Sequence, residues 1–208
     1  MNRYPGLFIT LEGGEGAGKS TAAKGLAELL RAEGHEVLAT REPGGTKGAE
    51  AIRALLLGTE TPLHPLAQTM LHFAARADHV ETVLRPALER GAIVICDRFY
   101  DSTMAYQGYA QGVGVEVVDS LIRLIDLVPD LSFFLRVSED VAKARLVTRA
   151  GATDRYESMG EDFTAKLMRG FEAIAAKEPG RCLWVNSSGT PKEVVAQLRQ
   201  LIAERAGR

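Results

Sequence analysis

Five short apolar runs punctuate the chain, at 7–11, 37–39, 93–96, 131–135 and 182–185, each bounded by polar or turn residues. Between them apolar side chains recur at helical spacing: Leu26, Leu29 and Leu30, then Val80, Val83, Leu84 and Leu88, then Val118, Leu121, Ile122 and Ile125. Apolar runs without polar alternation suit strands buried on both faces, and intervening helices supply the crossovers that parallel neighbours require. The pattern predicts an α/β protein, three layers α/β/α, around a five-stranded parallel sheet. Helix starts agree with it. Thr190-Pro191-Lys192-Glu193 reads as a capping box with Pro at the first helical position, and Ser138 before Glu139 and Asp140 reads as an N-cap. The stretch 150–162, with glycines, charges and little apolar content, is expected to be an exposed, mobile loop.

Composition narrows the class. The 208 residues carry 25 Lys+Arg against 27 Asp+Glu, a formal charge of −2, which argues against a protein that lives on a nucleic-acid polymer or an anionic membrane. No run approaches the roughly 20 apolar residues of a membrane span, and residues 1–11 lack the pattern of an export signal. Cys96 and Cys182 form no metal-ligand spacing and fit a reducing, cytoplasmic setting. At this length a single domain, 1–208, is the natural expectation. Arg outnumbers Lys 18 to 7, which either codon bias or a need for forked anion-binding side chains would produce.

The first chemical motif follows the first apolar run. Gly13-Gly14-Glu15-Gly16-Ala17-Gly18-Lys19-Ser20, then Thr21, fits G-x-x-x-x-G-K-[ST] between a strand and a helix rich in Ala and Leu. Glycines let successive N–H groups turn inward around an anion, and the following helix adds its own free N–H groups and dipole. Lys19 is placed to reach the β/γ-phosphates, and the Ser20 hydroxyl to ligate Mg²⁺. Asp97 ends the third apolar run, at the sheet edge where open α/β folds bind ligands, and is a second candidate for the metal. Beside it, Arg98 offers a bidentate fork to a phosphate.

Taken together, residues 13–21, Thr40-Arg41-Glu42-Pro43-Gly44-Gly45-Thr46, Ala74-Ala75-Arg76, Asp97-Arg98-Phe99 and 102–108 (Ser-Thr-Met-Ala-Tyr-Gln-Gly) resemble the thymidylate kinases in order and spacing, over nearly the whole chain. The resemblance implies a P-loop kinase fold with a short lid at about 148–162. It also implies transfer of the γ-phosphoryl group of ATP to dTMP with Mg²⁺, and a homodimer. Glu15 occupies the position of a P-loop carboxylate that meets the acceptor's 3′-hydroxyl. Arg98 matches the residue that grips the dTMP phosphate, and Arg76 the residue that hydrogen-bonds the thymine ring. Gln107 matches the amide that reads the base edge, Tyr106 the aromatic under the deoxyribose, and Ser102, Glu42 and Pro43 the pocket lining. Gly16 stands where some members carry an arginine. The resemblance is therefore to the bacterial subtype, whose lid supplies that charge, here through Arg149 and Arg155, with Lys166 further on.

One position departs from the family. The base-stacking aromatic sits four residues before the pocket arginine, where this chain has His72, and Phe73 follows. A one-residue step rotates a helix position by about 100°, so either His72 stacks, or Phe73 does from a new angle, or stacking is weaker. The rival functions are a kinase for another nucleotide or deoxynucleoside, and a P-loop switch with no acceptor. The chain has no Asn-Lys-x-Asp guanine motif, which counts against the switch.

Overall fold

The computed structural model describes residues 4–58, 62–148 and 159–207. Five parallel strands, β1 (Leu7–Glu12), β2 (Val37–Arg41), β3 (Ile93–Asp97), β4 (Leu131–Arg136) and β5 (Cys182–Asn186), form one sheet in the order β2-β3-β1-β4-β5. Each strand runs one or two residues past its apolar run, and each extension at the carboxyl end is polar or charged. The three inner strands are buried on both faces. The edge strands β2 and β5 are not: Ala39 and Arg41 of the one and Trp184 of the other face solvent. Each edge strand has a neighbour on one side alone, so continuous burial holds only where two neighbours and two helical layers meet.

Helices α1 (Lys19–Ala32) and α9 (Pro191–Ala206) cover one face, where Leu7, Ile9, Leu11, Ile95 and Phe133 meet Leu26, Leu30, Leu198 and Ile202. On the other face Phe8, Val94, Phe99, Phe134 and Phe171 form a second cluster. Its helices are α3 (Pro65–His79), α4 (Arg85–Glu89), α5 (Tyr100–Thr103), α6 (Val115–Ile125) and α8 (Gly160–Lys177). Helix α2 (Lys47–Leu57) packs on α3, and α7 (Glu139–Thr148) follows β4. The Thr190 capping box opens α9, with Thr190 Oγ1 accepting from Glu193 N at 3.3 Å and Glu193 Oε2 accepting from Thr190 N at 2.7 Å.

Two departures from the sequence-based expectation bear on function. Val80–Leu84 is π-helical rather than α-helical, as is Met104–Ala110, where Gln111 N donates five residues back to Tyr106 O. Such local widening is typical of functional sites, and the second segment carries Tyr106 and Gln107. The stretch 150–162 is not loop throughout: Gly160, Glu161 and Asp162 open α8. Arg149 and Arg155 lie outside the described residues.

Strand order sets the location of the site. The chain leaves β1 for the edge strand β2, returns to β3 beside β1, then crosses to β4 on the other side. The loops after β1 and β3 therefore diverge at the carboxyl edge of adjacent strands, where Leu11 is paired with Asp97. A crevice at such a reversal is the general ligand position in open α/β sheets.

Candidate active site

The loop from Gly13 to Gly18 turns between β1 and α1. Gly13, Gly16 and Gly18 have φ of 132°, 72° and 88°, and a Cβ at Gly13 or Gly16 would lie 2.5 Å from Leu135 O or 2.6 Å from Ala142 O. Only glycine satisfies both the left-handed backbone and the close approach. Gly18 caps α1 without a side-chain bond, which leaves the helix dipole and first-turn N–H groups for an anion. Lys19 folds back over the loop, donating from Nζ to Gly13 O at 3.1 Å and Gly14 O at 2.7 Å. Burial, with Arg98 as a nearby like charge, lowers its pKa to about 8, although Glu15, Asp97 and Glu12 act the other way.

Across the crevice the Ser20 hydroxyl donates to Asp97 Oδ2. A hydroxyl and a carboxylate facing each other beside the phosphate loop are hard oxygen donors that suit a small divalent cation. The next residue, Arg98, is non-glycine at φ 68°, a conformation that costs about 1–3 kcal/mol and marks functional sites. Both η nitrogens of its guanidinium are engaged. Nη1 donates to Gly13 O at 2.9 Å and Ser102 Oγ at 3.2 Å, and Nη2 to Glu15 Oε1 at 2.5 Å and the Tyr106 hydroxyl at 3.1 Å. The group also lies over the Tyr106 ring, 4.9 Å from its centroid. Burial opposes the Arg98 charge, but Glu15, Tyr106 and Asp97 outweigh it and hold the group protonated.

Deeper in the cleft, Arg76 is built differently. Nε donates to Glu42 Oε2 at 2.7 Å and Nη2 to Thr103 Oγ1 at 3.0 Å, while the guanidinium lies 4.7 Å from the Phe73 centroid and 5.0 Å from that of Phe99. Glu42 is itself held by His79 Nδ1 at 3.0 Å, and His79 Nε2 by Thr40 Oγ1 at 2.9 Å. Arg76 Nη1 is buried with no hydrogen-bond partner. Buried donors are rarely left unpaired, so this one points to a ligand.

The cleft has a volume of about 560 Å³. Of the residues anticipated from sequence, it is lined by Glu15, Gly16, Ala17, Gly18, Lys19, Ser20, Thr21, Glu42, Pro43, His72, Arg76, Asp97, Arg98, Ser102, Tyr106 and Gln107. Gly13 and Gly14 belong to the loop but do not line the cleft. Phe73 is in the core beneath Arg76 rather than on the cleft wall. Lys166 pairs with Asp162 at 2.6 Å on α8 and does not line it. A larger hollow of about 970 Å³ lies on the far side of the loop between α7 and α8, but neither Asp97, Arg98 nor Lys19 reaches it.

The comparisons with known proteins agree with this geometry. The family model for thymidylate kinase matches residues 11–198. The chain is 53% identical to thymidylate kinase from Gluconobacter oxydans, covering 96% of this chain and 95% of the relative. It is 47% identical to the Rhizorhabdus wittichii thymidylate kinase, covering 96% and 98%. The chain belongs to the thymidylate kinase family. Its fold matches the crystal structure of thymidylate kinase from Ehrlichia chaffeensis with a TM-score of 0.78 at 34% identity, over 95% of this chain and 98% of that one. The activity is that of a thymidylate kinase, phosphoryl transfer from ATP to dTMP, and it uses a divalent metal.

For a thymidylate kinase, three further residues of the site carried no motif in the sequence. Arg53 of α2 lines the cleft, donating from Nη1 to Pro43 O at 2.8 Å. Arg145 of α7 bridges Gly16 O at 3.4 Å and Ser187 O at 2.9 Å. Glu12, fully buried at the end of β1, accepts from Phe99 N and Ser102 Oγ. The available signal was for Glu12 alone: an acidic residue at the end of an otherwise apolar run, against the phosphate loop.

Proposed function

We propose that the cleft holds dTMP against Arg76 and Arg98 while the Gly13–Thr21 loop holds the ATP phosphates, so that the two nucleotides meet at Glu15, Lys19 and Asp97. The buried, unpartnered Arg76 Nη1 carries this reading. It is a donor waiting for an acceptor, which the 4-carbonyl of thymine supplies and the 4-amino group of cytosine does not. Gln107, whose Nε2 lies 3.5 Å from Gln111 Oε1, has an amide suited to the imide edge. His72 lines the cleft with its pKa lowered to about 3, by burial first and then by Arg76, Arg98 and Arg53. Its neutral ring is the surface offered to the base.

In the transfer, an oxygen of the dTMP phosphate bonds to the γ-phosphorus and the bond from γ-phosphorus to the β,γ-bridging oxygen breaks, releasing ADP. The attacking phosphate is already anionic, so positioning and charge stabilisation do more than a strong base would. Arg98 is placed to exchange Glu15 for the acceptor phosphate. Glu15, freed, accepts the sugar hydroxyl beside Tyr106. Ser20 and Asp97 would hold Mg²⁺, which when bound neutralises charge on the phosphates.

A homodimer fits the surface: α3 and α6 pack together and expose Leu66 and Met70 on the one and Val117 and Leu124 on the other. Adjacent exposed apolar side chains of that size suit a protein interface. No described helix is long and apolar enough to cross a membrane, and Cys96 and Cys182 are free, in keeping with a cytoplasmic enzyme. The one continuous sheet supports reading the chain as a single catalytic unit. A coupled ADP-release assay with dTMP, dUMP, dCMP, AMP and thymidine tests the assignment. Release should depend on a 4-keto pyrimidine monophosphate, and release indifferent to the acceptor would sink it.

A further inference from the structure

Glu12 closes β1 one residue before the phosphate loop. Side chains alternate along a strand, so Thr10 and Glu12 share a face, and Thr10 Oγ1 is bonded to Ser132 Oγ of β4 at 2.9 Å. No cationic side chain among the described residues is in ion-pair contact with Glu12, an expensive state for a buried carboxylate. Both of its oxygens are committed. Oε1 accepts from the Phe99 amide at 2.9 Å and Oε2 from the Ser102 hydroxyl at 2.5 Å. These two groups bracket Arg98. Phe99 is the residue immediately after the left-handed backbone at Arg98, and Ser102 Oγ accepts in turn from Arg98 Nη1.

We infer that Glu12 is a positioning residue for acceptor-phosphate binding, its carboxylate clamping the Phe99 amide and the Ser102 hydroxyl so that the strained turn aims the Arg98 guanidinium across the phosphate loop. This rests on the reading of Arg98 as the ligand of the acceptor phosphate. An ionised carboxylate accepts at both oxygens, whereas a protonated one turns an oxygen into a donor toward a group that is already donating. Burial first, then the like charge of Asp101 on α5, raises the Glu12 pKa to about 7, with Ser102, Arg98 and Thr10 acting the other way. Lys19 on α1 and the thiols of Cys96 on β3 and Cys182 on β5 also feel its charge. The clamp therefore forms as the pH rises through neutrality. Stability moves the opposite way. A carboxylate raised in the folded state holds protons that the unfolded chain has already lost, so stability falls as pH rises from about 4.5 to about 7.

Glu12→Gln in the full chain separates positioning from structural support. At pH 8 we expect kcat/KM for dTMP to fall about 10- to 100-fold. ATP affinity without dTMP should stay within about twofold, and the melting temperature should be no lower than the parent's. At pH 6, where the parent's Glu12 is itself mostly protonated, the activity loss should shrink. Ser102→Ala removes one arm of the clamp and should give a smaller loss of the same kind. If Glu12→Gln does not fold, Ser102→Ala decides, and parental kcat/KM for dTMP in that variant overturns the inference. So does full dTMP activity of Glu12→Gln at pH 8, or a loss that tracks melting temperature or falls equally on ATP. Arg98→Ala tells the two failures apart: unchanged dTMP turnover there overturns the reading of Arg98. A large loss there with full activity in Glu12→Gln overturns the role of Glu12 alone.

Discussion

Arg76 and Arg98 both line the cleft, and each lies against an aromatic ring. Arg76 is fixed by groups deep in the fold, Glu42, His79 and Thr103, and keeps one nitrogen open. Arg98 has four acceptors on its η nitrogens, including Glu15, which is about one-fifth exposed. The difference separates two ways of recognising a ligand. On the proposed reading a neutral base edge would meet a prebuilt donor, whose ordering cost was met on folding. On the same reading a phosphate would replace Glu15 on Arg98, one anion for another, and Glu15 otherwise compensates the guanidinium beside Lys19.

The sharpest way to break that contrast is to remove each arginine and read stability and turnover separately. Arg76→Leu strands Glu42 in the core, and breaking a buried pair from one side costs about 3–5 kcal/mol. Denaturant unfolding should show that loss even without ligand. Arg98→Ala leaves Glu15 about one-fifth exposed and still bonded to Tyr106, so unfolding should shift by less than for Arg76→Leu, about 1–3 kcal/mol. Steady-state assays should nonetheless show kcat/KM for dTMP down about 10²- to 10³-fold with ATP affinity kept. Equal destabilisation by the two substitutions would erase the distinction between a built-in and an exchangeable arginine.

The same contrast explains what could be read from the chain. Arg98 and Asp97 were legible because they end an apolar run at the edge where a ligand sits, and the phosphate loop because its glycines and Lys19 are contiguous. The sheet was legible for a related reason, since burial on both faces writes itself into 7–11, 93–96 and 131–135. The edge strands were over-read, because apolar content does not say how many neighbours a strand has. The support of Arg76 was hidden. Glu42 and His79 come from segments that meet only after β2 pairs with β3 and α3 packs on α2, so no local pattern joins them. Arg53 and Arg145 look like any solvated helix charge until the helices are placed.

Two smaller effects refine the comparison. His72 and Phe73 are neighbours on α3, but His72 lines the cleft and Phe73 supports Arg76 from below. Base stacking is worth about 1–3 kcal/mol, so His72→Ala should raise KM for dTMP by about 5- to 150-fold with little change in unfolding. Phe73→Ala should register first as lost stability, by about 3–5 kcal/mol. A larger rise in KM from Phe73→Ala than from His72→Ala would move the stacking role to Phe73.

Lys19 asks whether exchange depends on charge alone. Like Arg98 it donates to carbonyls of the phosphate loop, here those of Gly13 and Gly14, but unlike a guanidinium an ammonium can lose its proton. With its pKa lowered to about 8, the unfolded chain binds the extra proton between about pH 8 and 10.5, so this residue's contribution makes stability rise with pH across that window. ATP affinity should do the reverse. Between pH 7.5 and 9 the free enzyme increasingly holds a neutral Lys19, and ATP dissociation constants from titration should rise about three- to tenfold. Lys19→Arg keeps its charge over that range, so its affinity, whatever its absolute level, should stay flat. A parallel decline in both proteins would mean that the titrating group lies elsewhere, and that the loop carbonyls, not the proton, set how readily Lys19 is released to phosphate.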